Sequence, residues 1–328
     1  METFKSFIAS LNTINEDNFT DIALALFRFQ VEHNSVYRAY VNALNINPNG
    51  VETVDQIPFL PITFFKHHAI KTGQWQPVET FVSSGTTSYA TSQHQVWDME
   101  FYLSHAQRIF EKRFGSLSQY HILALLPSYL ERKGSSLIAM MNHFIQATGS
   151  TESGFYLRDY PQLLQKAEQL KSSPRKTIIW GVSFALLELA EQGPHDLRHC
   201  MIFETGGMKG RRKELIREEF HQILNDRLKT SPIYSEYGMT ELMSQAYSLG
   251  NGYFQPSAQM KIVIRDINDP FSKGKIGQTG GINVVDLANF HSCAFIETQD
   301  LGRVTETGEF EVLGRFDNSD LRGCNLLV

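Results

Sequence analysis

The chain has 328 residues, 42% of them hydrophobic, and a net charge of −5. That length is ample for one large core or two ordinary domains. The one basic run, "MKGRRKELIR" (208–217), is followed at once by acids, which argues against nucleic acid as the main partner. The apolar stretches are interrupted within a dozen residues, so none reads as a membrane span, and the first residues carry acids where a signal peptide needs a basic head. A soluble, cytoplasmic protein is therefore expected, with no nucleic-acid partner and no membrane insertion.

In chain order, residues 1–45 carry apolar side chains at helical spacing and read as a helical lead-in. "FVSSGTTSYATSQ" (81–93) follows the apolar "TFV" and packs hydroxyls around a glycine. It is either a solvated turn or a loop shaped for phosphate. The stretch 91–115 reads as one amphipathic helix, and "YHILALLP" (120–127) as a buried strand. Helix at 135–148, strand at 175–182, helix at 183–192, strand at 198–207 and helix at 210–224 complete an alternation that predicts a parallel or mixed sheet with helices on its faces. The helix 135–148 is either plain core or the wall of an acyl tunnel. After residue 250, four segments (258–267, 277–287, 293–304 and 308–316) are β-rich with Gly/Asn/Asp turns, as in a small antiparallel sheet or barrel.

Ligands in open α/β sheets gather beyond the carboxyl ends of strands, which directs attention to four loops. "SSGTTS" (83–88) offers successive N–H groups and hydroxyls for phosphate oxygens, without the lysine of a Walker loop. "YSEYGMTEL" (234–242) sets an aromatic face, a glycine, a hydroxyl and a carboxylate side by side; it also reads as a helix N-terminus capped by Ser235 or Thr240. "ETQDLGRV" (297–304) places an aspartate where it can accept bonds from a ribose diol, or simply turn the chain. "LGRFDNSDLRG" (313–323) has the form of an Arg-x-Asp hinge. His195 and His199, with Cys200 adjacent, read as a partly exposed helix end more than as a metal face. Cys200 and Cys293 sit in apolar β runs as inert thiols, leaving Cys324 as the reactive candidate beside Arg322.

Taken together and in order, these motifs resemble the running signature of the adenylate-forming, acyl-activating (ANL) superfamily over roughly residues 60–323. Within it, "IPFLPITFFK" (57–66), "LLPSYLERKGSSLIAMM" (125–141), "FETGGMKGRRKEL" (203–215) and the ending "LRGCNLLV" resemble the LuxE-type acyl-protein synthetases. The resemblance implies an α/β fold: the large N-terminal domain of such an enzyme over 1–313 (helical lead-in 1–60, α/β body 61–250, β-rich part 251–313). A hinge-like tail (314–328) carries Cys324, and the usual C-terminal lid domain is absent.

By the same resemblance Ser83, Ser84, Gly85, Thr86 and Thr87 bind the β/γ-phosphates of ATP, and Gly206 and Gly207 line the nucleotide side. Tyr237 stacks on adenine with Gly238 beside it, and Thr240 meets the α-phosphate. Glu241 holds Mg2+, while Asp300 takes the ribose hydroxyls with help from Arg315. The implied activity is ATP-dependent activation of a fatty acid as acyl-adenylate. The acyl group then passes to the Cys324 thiol as a thioester and on to a reductase-like partner protein. From Arg315 to Cys324 is nine residues, so an extended tail reaches roughly 30 Å at about 3.3–3.6 Å per residue. One departure stands out. Where the family loop continues into G-x-P-K, this chain has Ser88, Tyr89, Ala90 and Thr91, so the loop lysine is missing. Lys209, Arg211, Arg212 or a partner subunit are candidates to replace its charge. Two other functions stay open: a phenylacetate-like aryl- or acyl-CoA ligase, and a nucleotide- or acyl-binding subunit without catalysis.

Overall fold

A computed structural model describes residues 2–83, 91–126, 134–206 and 215–316. Three helices come first, α1 (Glu2–Leu11), α2 (Glu16–His33) and α3 (Ser35–Ala43). Asn15 starts α2 by accepting the N–H groups of Asp17 and Asn18, and Asn34 does the same for α3 through Tyr37 N–H. A two-residue strand, β1 (Leu60–Pro61), precedes a hairpin of β2 (Glu79–Val82) and β3 (Gln93–Val96). The stretch expected as one helix over 91–115 is thus strand first and helix second. Its register puts Phe81 opposite His94, both buried, and helix α4 (Met99–Phe114) begins only after Asp98 caps Phe101 N–H at 3.0 Å. Between β2 and β3 runs the Ser/Thr-rich stretch, of which residues 84–90 lie outside the described residues.

The body continues with β4 (Tyr120–Leu125), α5 (Ser136–Ala147), β5 (Gly154–Phe155), α6 (Tyr160–Gln169), β6 (Lys176–Val182), α7 (Ser183–Glu191), β7 (Cys200–Thr205), α8 (Arg217–Leu228) and β8 (Ile233–Tyr237). The last helix was expected at 210–224 and begins at Arg217. Strands β5, β4, β6, β7 and β8 lie side by side and parallel. β4 is buried at all six positions and β6 at all but Lys176, as strands covered on both faces must be. On one face Phe110 of α4 and Phe144 of α5 close over Trp180, which stacks on Phe203 at 4.7 Å, and Phe203 stacks on Tyr234 at 4.9 Å. Helices α7 and α8 pack together on the strands they connect.

The β-rich end comprises β9 (Ala246–Ser248), β10 (Tyr253–Pro256), β11 (Met260–Arg265), β12 (Gly280–Asp286), β13 (Phe295–Val304) and β14 (Phe310–Arg315). It extends the same sheet in the order β8-β9-β10-β14-β13-β12-β11, now antiparallel, with β1 beside β13. The lead-in helices brace the turn between β12 and β13. The buried Gln30 side chain donates to the Asn289 and Phe290 carbonyls and accepts from Ala294 N–H, and Asn34 donates to the Ser292 carbonyl. Among the described residues no helix is long and apolar enough to cross a membrane.

Candidate active site

Strand β8 ends at Tyr237, and the loop after it, 238–245, contains no helix, so neither Ser235 nor Thr240 caps one. Three groups from distant parts of the chain hold this loop. His94, on β3, approaches the Thr240 carbonyl through Nδ1 at 2.8 Å. Asn289 donates to the Glu241 carbonyl at 2.8 Å. Asp286, at the end of β12, accepts Met243 N–H, Ser244 N–H and the Ser244 hydroxyl at 2.7, 2.9 and 2.7 Å. A carbonyl only accepts, so Nδ1 of His94 carries the proton. Burial pulls the His94 pKa down to about 4, against the pull of Thr240 and Asn289. The ring is then neutral at pH 7, and its 3.1 Å approach of Nε2 to Asn289 Oδ1 is not a hydrogen bond in that state.

Into this frame the sequence-predicted residues fall as follows. Ser83 closes the base of the Ser/Thr loop: its N–H donates to the Ser92 carbonyl at 3.0 Å and its hydroxyl accepts Ser92 N–H at 2.9 Å. Glu241 is 5% exposed and its carboxylate meets the Ser92 hydroxyl. Burial pushes its pKa up; the Ser92 bond and the Arg315 charge oppose this, and the Asp300 charge adds to it. The base of the Ser/Thr loop, the T-E pair, the aspartate of β13 and the hinge arginine therefore share one electrostatic neighbourhood. Tyr237 is buried against Phe310 and Phe254, at 5.2 and 5.9 Å between ring centroids, and its hydroxyl donates to Asp300 Oδ2 at 2.9 Å. The other carboxylate oxygen of Asp300 faces Arg315 Nε at 3.5 Å, because Asp300 and Arg315 are register partners across β13 and β14. Burial raises the Asp300 pKa; Arg315 and the Tyr237 bond oppose it. Gly206 ends β7 with φ +67, and its carbonyl accepts the Ser183 hydroxyl at 2.6 Å. Ser84, Gly85, Thr86, Thr87, Gly207, Lys209, Arg211, Arg212 and Cys324 lie outside the described residues.

Several residues at this end of the sheet carry no local signal in the sequence. Besides His94, Asn289 and Asp286 they include a pair of buried carboxyls on opposite faces. Glu204 faces α8, with Arg217 Nε at 3.5 Å and His221 Nε2 at 3.7 Å. Burial pushes its pKa up, but these partners outweigh burial and hold it below the usual range. Glu236 turns the other way and accepts the Thr205 hydroxyl. A Cβ at Gly238 would overlap its Oε1, so a larger residue there would have to displace the Glu236 carboxyl. The other noted positions take structural roles. His195 and His199 lie in the loop after α7 and not on a helix, with His199 Nε2 2.9 Å from the Ala167 carbonyl. Met140, Met141 and Phe144 of α5 are buried in the core. Cys200 and Cys293 are buried thiols, and burial pushes both pKa values to about 12.

One carboxylate, Glu241, and neighbouring hydroxyl oxygens form a hard-oxygen donor set; among the described residues no group of three acidic, His or Cys side chains gathers to cage a metal. Glu241 would supply one carboxylate ligand to a Mg2+ ion that arrives with a nucleotide's phosphates.

No family model matches the chain, and no curated protein sequence does. Solved structures do. A 2-hydroxyisobutyryl-CoA ligase in complex with 2-HIB-AMP and CoA superimposes with a TM-score of 0.70 at 12% identity, over 92% of this chain and 68% of the ligase. An ATP-bound chimera of RpMatB and BxBclM gives 0.55 at 18% identity, over 74% of this chain and 49% of the chimera. A double mutant of o-succinylbenzoate CoA synthetase from Bacillus subtilis, bound to a product analogue, gives 0.54 at 18%, over 73% and 49%. The fold is that of the large N-terminal domain of adenylate-forming enzymes, and the chain spans 49 to 68% of the length of these proteins.

Proposed function

We propose that the protein activates a carboxylic acid with ATP and transfers the acyl group to a thiol. The carboxylate oxygen attacks the α-phosphorus of ATP, an acyl–O–P bond forms, and pyrophosphate leaves. A thiolate then attacks the acyl carbonyl, a thioester forms, and AMP leaves. In the LuxE-type version of this reading the thiol is Cys324, the acid is a fatty acid, and a reductase-like partner protein receives the acyl group. The observation that carries the reading is that Asp300 is held between the Tyr237 hydroxyl at 2.9 Å and Arg315 at 3.5 Å, while His94 ties the Thr240 carbonyl at 2.8 Å to the strand that leaves the Ser/Thr loop. Such a cluster is what charge neutralisation and positioning of a triphosphate require.

Glu241 would hold Mg2+, which when bound neutralises phosphate charge. Thr240, fixed through its carbonyl by His94, would present its hydroxyl to the α-phosphate, and Ser83 to Thr87 would cradle the β/γ-phosphates. Asp300, between Tyr237 and Arg315, would receive the ribose diol. Tyr237 would offer an edge or face to the base from its aromatic packing against Phe310.

A second reading, coenzyme A as acceptor, is favoured by the shared fold with the 2-hydroxyisobutyryl-CoA ligase, whose complex contains CoA. Purified protein with Mg·ATP and a panel of radiolabelled acids separates the two. Pyrophosphate release by wild type and Cys324→Ser, with hydroxylamine-labile label on wild type alone, supports acylation of Cys324. AMP release that needs coenzyme A and survives Cys324→Ser supports the ligase. Nucleotide binding without pyrophosphate release from any acid would leave a binding subunit.

A further inference from the structure

Register places three polar side chains in one row across the sheet. Thr205 of β7 pairs with Glu236 of β8, and Glu236 pairs with Tyr247 of β9, so all three point to the face covered by α4. Gln245, two residues before Tyr247, extends the same face and packs within 3.5 Å of where a Gly238 Cβ would stand, on the side of Gly238 that meets Glu236. All four are more than nine-tenths buried, at 5, 8, 2 and 4% exposure. The row lies between the aromatic core (Phe114 is 5.4 Å from the Tyr247 ring) and the Y-G-M-T-E loop. Two of its atoms have no hydrogen-bond partner: the Tyr247 hydroxyl and Gln245 Oε1.

Buried polar atoms without partners are costly, and these two lie on one face of the sheet beside the candidate site. Gln245 Oε1 can only accept; the Tyr247 hydroxyl can donate as well. A hydroxyl on an organic acid can donate to Gln245 Oε1 and can accept from or donate to the Tyr247 hydroxyl, whereas an ammonium only donates. Alkyl chain would leave both unmet.

We propose that Thr205, Glu236, Tyr247 and Gln245 recognise a hydroxyl on the acyl part of the substrate, so that the acid activated at this site is a hydroxy-substituted carboxylic acid and not a plain alkyl one. The inference rests on the adenylation reading for its reaction, but its binding surface can be tested alone. Glu236 keeps a protonated carboxyl into the neutral range, its pKa raised to about 7 by burial and by Glu204 against the Thr205 bond.

The test uses straight-chain acids from four to fourteen carbons, each with its 2-hydroxy and 3-hydroxy counterparts. Two readouts are taken on the full chain: ATP–pyrophosphate exchange, and thermal stabilisation by each acid. We expect one hydroxy acid to exceed its plain counterpart by at least about tenfold in kcat/KM, the equivalent of one good hydrogen bond. Tyr247→Phe and Gln245→Leu should each reduce that ratio several-fold. Tyr247→Phe removes a hydroxyl that bonds nothing, so its Tm should equal or exceed that of wild type; a marked fall would overturn the inference. Equal or better exchange with plain acids throughout would also overturn it. If no acid supports exchange but a hydroxy acid selectively stabilises wild type and not Tyr247→Phe, the recognition row stands and the adenylation reading falls. If neither exchange nor selective stabilisation occurs, both fall.

Discussion

The Nδ1 atom of His94 lies 2.8 Å from the carbonyl oxygen of Thr240, tying the strand that leaves the Ser/Thr loop to the loop that carries Thr240 and Glu241. His94 is fully buried and Thr240 half-buried, so losing the ring N–H removes one donor from the Thr240 carbonyl, at a cost of about 0.5–1.5 kcal/mol. His94→Ala should slow pyrophosphate release at least about tenfold and speed amide exchange in 238–245 while leaving β4 and β6 protected. His94→Asn, whose amide can place a donor near the same point, should recover most of both. Equal loss in the two variants would mean that His94 serves only as filling.

The Tyr237–Asp300 bond makes a separate prediction. Tyr237→Phe leaves Asp300 Oδ2 without its donor, which should raise the already elevated Asp300 pKa further and cost about 1–3 kcal/mol of stability. If Asp300 receives the ribose diol, wild type should bind ATP more tightly than 2′,3′-dideoxy-ATP, and Asp300→Ala should bind both alike. Equal binding of the two nucleotides by wild type would remove Asp300 from the nucleotide site.

Glu236 gives a pH dependence with a definite sign. Its folded pKa, about 7, stands above the ordinary glutamate value of 4.5, so between these values the folded state binds more protons than the unfolded one. This group's contribution is therefore unperturbed below about pH 4.5, and stability falls as pH rises toward 7. Glu236→Gln should remove that fall. The difference in Tm between variant and wild type should grow in the variant's favour from pH 5 to pH 8; a constant difference would show that Glu236 is ionised throughout.

Thiol reactivity offers a control for the acylation experiment. With burial holding the Cys200 and Cys293 pKa values near 12, neither should react with a disulfide reagent in the native protein. One fast thiol is expected in wild type and none in Cys324→Ser, with two more appearing in denaturant. A fast thiol remaining in Cys324→Ser would make Cys200 or Cys293 an alternative acyl acceptor.

What the sequence determined by itself was local chemistry and its order. Runs such as "KTIIWGV" and "YHILALL" read as buried strands because the positions after Lys176 and after His121 are all apolar or small, and the alternation with helices implied the parallel part of the sheet. The residues of the Y-G-M-T-E and T-Q-D-L-G stretches announced a polar site because each motif is contiguous. Two local readings failed for a physical reason. "QHQV" became the β3 strand and not helix because Phe81 and His94 pair across a hairpin, and 195–199 became loop. Only the tertiary structure brought Asp300 to Tyr237, set Asp286, Asn289 and His94 under the T-E loop, and lined Thr205, Glu236 and Tyr247 in one row. Among those contacts, Thr205 and Glu236 stand 31 positions apart and His94 and Thr240 146. Their partners are chosen by strand order and register, which no window of neighbouring residues contains.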